Sequence, residues 1–148
     1  MASQLHYLTV QDVLWINQQI TEKIETFHYA KLEEATYYQY AYGESRDVIS
    51  QSARFLVGFP KMNPLEAGNA ATTFVSLLTF LQLNGYHITL KDSEAVAWYE
   101  SVQSGSAKAS DAIKAIAKQD LGHHHPADVR SVVKDVLRDY SNAITALR

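Results

Sequence analysis

The residues with the clearest chemical meaning lie mid-chain, in the run Asn63-Pro64-Leu65-Glu66-Ala67-Gly68-Asn69-Ala70-Ala71-Thr72. An Asn-Pro turn and a Gly-Asn pair lead straight into an apolar helical stretch. A loop of this kind at a helix N-terminus presents backbone N–H groups and a partial positive charge, the chemistry of anion and phosphate binding. Gly68, Asn69 and Ala70 are therefore the candidate anion-binding residues. The side chains that would turn binding into catalysis are missing, because no Lys, Arg or His falls between Met62 and Tyr86. Glu66 is the one ionisable group of the loop. The residues also admit a purely structural reading, a glycine-containing turn that opens a core helix.

Two other groups could do chemistry. His123, His124 and His125 precede Pro126 and offer imidazoles to a transition metal. Three adjacent loop residues rarely aim all their rings at one ion, so the expectation is adventitious metal rather than a native centre. His6, His28 and His87 stand alone in sequence and read as surface or partly buried side chains. Arg130, Lys134 and Arg138 form a basic stripe interleaved with Asp128, Asp135 and Asp139, which reads as a solvated face with local ion pairs.

The elements that must position these groups are helical. Thr9 and Asp12 form a capping pattern ahead of Val13, Ile16, Ile20, Ile24 and Phe27, which predicts one helix of about five turns. A short helix is expected over Leu32–Tyr38. A third is capped by Ser45, faces inward with Ile49, Ala53 and Leu56, and ends near Gly58. The fourth runs from Gly68 to Leu83, stopped by Asn84-Gly85. A fifth starts at Asp92 or Ser93 and ends at Ser104-Gly105, and a sixth spans Ser110–Leu121 with Gly122 behind it. The last carries Val129, Val132, Val133, Val136, Leu137, Tyr140, Ile144 and Leu147 on one face. It reads as a core helix, with an interface helix for a homodimer or partner as the alternative. Between Tyr29 and Tyr42 lie five of the nine tyrosines. Either their rings fill a helix–helix junction, or the stretch near residues 37–43 is a short extended flap. The fold class expected is thus all-α, about six to seven helices in a single domain over residues 1–148.

Composition bounds the function. The 148 residues are 47% hydrophobic and 20% charged, an ordinary globular balance. A net charge of −3 argues against a nucleic-acid partner. No apolar run approaches the ~18 residues of a membrane span, no secretory signal pattern opens the chain, and cysteine is absent, so a cytoplasmic setting is expected.

The order of these segments resembles the Fic/Doc (Fido-domain) family, in particular its death-on-curing (Doc) branch. "YLTVQDVLWINQQI" looks like the opening helix of that branch and "KLEEA" like its second. "NPLEAGNAATT" stands where the family carries His-Pro-Phe-x-x-Gly-Asn-Lys-Arg-Thr, and "FLQLNGYHIT" is similar to the segment after that motif. The resemblance covers about residues 5–105, and the helices of 106–148 diverge. It implies a Fido-like bundle and, for an intact motif, transfer of AMP or phosphate from a Mg2+-bound nucleotide to a protein hydroxyl. Asn63 occupies the position of the motif histidine, the family's general base, and an amide cannot accept a proton near neutral pH. Ala67 replaces the acidic metal ligand, with Glu66 one residue away. Ala70 and Ala71 replace the lysine and arginine; Gly68, Asn69 and Thr72 match. No inhibitory Ser/Thr-x-x-x-Glu-Gly/Asn pattern is present.

The resemblance therefore implies a pseudoenzyme of toxin–antitoxin type, binding a protein (an antitoxin-like partner, a target or a second copy) or a nucleotide such as ATP. The alternative is an active transferase whose displaced groups, Glu66 and a distant His or Arg, are recruited in space. A helical protein unrelated to that family is the third reading.

Overall fold

The computed structural model describes residues 5–24, 26–41, 46–120 and 128–148. Among these residues the protein is all-α, with eight helices and one two-stranded sheet. The helices are α1 (Val10–Thr21), α2 (Tyr29–Thr36), α3 (Val48–Met62), α4 (Asn69–Leu83), α5 (Asp92–Gln103), α6 (Ala109–Ile116), α7 (Val129–Asp139) and α8 (Ser141–Leu147). None is long and apolar enough to cross a membrane.

The centre is α4, in which every residue from Ala71 to Leu81 is buried. A helix apolar on all sides belongs inside a bundle, and α1, α3, α7 and α8 pack around it. Its buried threonines satisfy their hydroxyls locally: Thr73 and Thr79 donate to the carbonyls of Asn69 and Val75.

α1 begins as expected. Thr9 Oγ1 accepts from the Asp12 N–H at 3.0 Å, and Asp12 returns a carboxylate oxygen to the Thr9 N–H at 2.9 Å. It ends earlier than the apolar spacing suggests. Glu22 turns left-handed (φ 62°), so Ile24 is 81% exposed and Phe27 37% exposed instead of extending the buried face.

α3 runs four residues past Gly58, and its cap is Asp47, which accepts from the Ile49 N–H; the expected cap, Ser45, lies outside the described residues. Gly58 serves close packing rather than termination, since a Cβ there would lie 2.7 Å from the Tyr38 ring. Pro60 cannot donate to the Leu56 carbonyl, a loss that normally disfavours a proline inside a helix. Here that carbonyl accepts from Gln103 Nε2 of α5 at 2.9 Å, so the helix continues to Met62.

After α2, Tyr37–Gln39 form a 3-10 turn and Tyr40 is extended, while Tyr42 and Gly43 lie outside the described residues. The rings stack across the junction: Tyr40 meets Tyr7 at 4.5 Å and Tyr37 at 5.3 Å.

The strands are β1 (Tyr86–Ile88) and β2 (Ala117–Gln119), paired antiparallel with His87 opposite Lys118. β2 occupies residues expected to continue α6, whose end is therefore Ile116 and not Leu121. Leu121 and Gly122 lie outside the described residues. The expected last helix is two. Tyr140 breaks it (φ −122°, ψ 31°), and its hydroxyl donates to the Leu90 carbonyl while its ring meets Phe74. Asp92 then receives the Ala143 N–H and the Asn142 amide at the start of α8. The apolar face of α7 packs in the core through Val132, Val133 and Val136. On its outer side Arg138 pairs with Asp135 and Asp139, and Arg130 lies 4.7 Å over the Trp15 ring.

Candidate functional site

The loop joining α3 to α4 is fixed at both ends by left-handed backbone. Asn63 ends α3 at φ 48°, a conformation asparagine tolerates better than most residues. Gly68 precedes α4 at φ 77°, where a side chain would also lie 3.0 Å from Thr21 Cγ2 and 3.1 Å from Asn17 Nδ2. Between these ends the loop pairs with the segment leading into α2. The His28 N–H donates to the Pro64 carbonyl, the Glu66 N–H donates to the Thr26 carbonyl, and Phe27 stands opposite Leu65.

The inner side of the loop is closed by amides. Asn69 Oδ1 accepts from the Leu65 N–H at 3.0 Å, and its Nδ2 donates to the Leu65 carbonyl at 2.7 Å and to Asn63 Oδ1 at 2.8 Å. Gln39 grips Leu8, and Asn84 grips His6, in the same two-way fashion. Asn17 is 1% exposed, and its Nδ2 donates to the Ala67 carbonyl and to Thr72 Oγ1. Thr72 is buried and Ala70 half-buried in the first turn of α4, whose start no side chain caps. The structure thus brings Asn63 and Asn69 together, and gathers Gly68 and Thr72 around Asn17. One turn on, Thr73 meets Tyr99, whose hydroxyl burial pushes up to about 12 against the opposing effect of that hydrogen bond.

Glu66 stands apart from this group, exposed and facing outward. With Thr26, Phe27, His28, Lys31, Asn63, Pro64 and Leu65 it lines a cleft of about 480 Å³. His28 caps α2, its Nδ1 accepting from the Lys31 N–H at 3.3 Å. The cationic groups absent from the loop are therefore supplied from α2. In sequence His28 reads as a surface or partly buried side chain, as it is, and Lys31 stands 35 residues upstream of Glu66 with nothing local to tie it to the loop. Asn17 has a legible signal, a polar residue within the Val13, Ile16, Ile20 stripe, that points to a buried tie.

Mg2+ demands near-octahedral oxygen ligation. Around the loop it would find one carboxylate, Glu66, and an Asn63 oxygen already taken by Asn69. These residues do not fit a metal-bridged nucleotide. Among the described residues no group of three His, Asp or Glu side chains could hold a metal; His123, His124 and His125 lie outside them.

Comparison with protein-family models, with curated proteins and with solved structures finds no match for this chain.

Proposed function

We propose that the protein is a binding module rather than a transferase, a pseudoenzyme on a plan like that of the Fic/Doc proteins, acting in the cytoplasm through a protein or nucleotide partner. The observation that carries this reading is the closure of the loop on itself. Asn63, at the position of the motif histidine, is held by Asn69, whose own amide is fully engaged with Leu65. Transfer chemistry needs a positioned base and groups that neutralise developing charge; here the Asn69 amide is bonded to Asn63 Oδ1 and to the Leu65 backbone. A toxin–antitoxin-type setting, with an antitoxin-like protein as partner, follows from the resemblance alone.

A second reading, an active AMP- or phosphotransferase with displaced groups, is favoured by one observation: Glu66 and His28 line the same cleft. One experiment separates the two. The full chain is incubated with ATP labelled at the α- or γ-phosphate, Mg2+ and a cell extract. The receptor reading expects no transfer above background, including for Asn63→His. Label transfer abolished by Glu66→Gln or His28→Gln establishes the second reading instead. Calorimetric titration of ATP with and without Mg2+ then reports whether a nucleotide is the partner.

A further inference from the structure

The geometry points to the cleft between the start of α2 and the loop as a site for a small zwitterion, an α-amino acid or dipeptide, its carboxylate on Lys31 and its ammonium on Glu66. Lys31 and Glu66 both line this cleft and do not pair with each other. Neither has another ion-pair partner among the described residues. An anion alone would meet Lys31 and be repelled by Glu66, and a cation alone the reverse. A small molecule carrying both charges offers a partner to each group.

Neutral groups complete the match. Asn63 Oδ1 is occupied by Asn69, which leaves its Nδ2 hydrogens as donors toward a carboxylate. His28 has Nδ1 engaged and Nε2 without a partner among the described residues. Phe27, 37% exposed, offers apolar surface for a side chain at the cleft. The volume, about 480 Å³, falls among pockets that take small molecules. A larger cleft of about 670 Å³ beside Trp98 offers one charged group, Glu94, and so lacks this two-point chemistry.

The inference rests on reading the protein as a receptor, and it adds the class of ligand. The test is a heteronuclear NMR titration of the full chain with L-phenylalanine and glycyl-L-phenylalanine. Controls are N-acetyl-L-phenylalanine, which lacks the ammonium, L-phenylalaninamide, which lacks the carboxylate, and inorganic phosphate. Saturable shifts centred on residues 26–31 and 63–66 are expected, with each one-charge analogue weaker by up to about fivefold, the upper end for an exposed ion pair. Lys31→Met should abolish discrimination against the amide only, and Glu66→Gln discrimination against the acetylated analogue only. The proposal is overturned by no saturation with either zwitterion to about 10 mM, or by equal binding of the one-charge analogues. It is also overturned by phosphate saturating the cleft in a way that Lys31→Met removes and Glu66→Gln leaves intact. ATP binding without zwitterion binding overturns this ligand assignment while the receptor reading stands.

Discussion

The loop between α3 and α4 has two sides that differ in how their polar groups are satisfied. On the inner side the buried Asn17 bonds to Thr72 and to the Ala67 carbonyl, while the half-buried Asn69 holds the Leu65 backbone. On the outer side Lys31, Glu66 and the Nε2 of His28 face a cleft without partners among the described residues. Buried polar groups must be paired because an unpaired one costs the desolvation it never recovers. Exposed ones carry no such obligation and remain available. Within one ten-residue stretch, Asn69 and Thr72 hold the loop together, while Glu66 faces the cleft beside Lys31 and His28 of another segment.

That contrast is open to test, beginning where it should be strongest. Gly68→Val puts a β-branched residue at φ 77° with its Cβ 3.0 Å from Thr21. Strain and overpacking together should destabilise the fold by about 3 kcal/mol or more, read from urea unfolding. A change within 0.5 kcal/mol would show that the inner side is not tightly built. Asn17→Ala removes the donor to the part-buried Ala67 carbonyl and the buried Thr72 hydroxyl; it should cost about 1–3 kcal/mol. If the loss is smaller, water has taken the place of the amide.

A third expectation concerns pH. Tyr99 is 4% exposed and its pKa is raised to about 12. Above the ordinary value near 10 the unfolded chain loses this proton while the folded one keeps it, so stability falls as pH rises from about 10 to about 12. Tyr99→Phe should flatten that limb in part, since Tyr86 and Tyr140 are raised by burial as well. An unchanged alkaline limb would mean the hydroxyl titrates normally. The smallest effects belong to the outer side. Lys31→Met and Glu66→Gln should each change stability by less than about 0.5 kcal/mol while altering ligand discrimination. A larger stability loss from either would move that residue to the architectural side of the comparison.

Much of the fold was legible. The Thr9–Asp12 box, the largely apolar run of α4 and the glycine at its start each follow from local chemistry, and each appears where the spacing puts it. Failures fell where a distant group overrode a local signal. Ile24 and Phe27 continue the helical period of α1, yet the left-handed turn at Glu22 takes them off its face. Gly58 looks like a stop, but Tyr38 packs on it, and Gln103 satisfies the carbonyl that Pro60 leaves free. Tyr140 sits in phase with Val136 and Ile144, though its contacts to Leu90 and Phe74, with Asp92 capping the next turn, split the helix there. Of the candidate site, Asn63, Glu66, Gly68, Asn69, Ala70 and Thr72 follow from the sequence, and Asn17 carries a signal in its polar place on an apolar stripe; that His28 and Lys31 join the loop does not.

The sequence by itself determined the helical class, the buried centre at α4 and the backbone turn at Gly68, because propensity, apolar period and a permitted φ are properties of neighbouring residues. It also determined that the loop carries no cation. Only the tertiary structure decided that segment 26–28 pairs with residues 64–66, that β1 meets β2 across the intervening helices, and that Lys31 and His28 share a cleft with Glu66. Those juxtapositions depend on how separate elements bury their faces together, a cooperative outcome of packing that no local window contains.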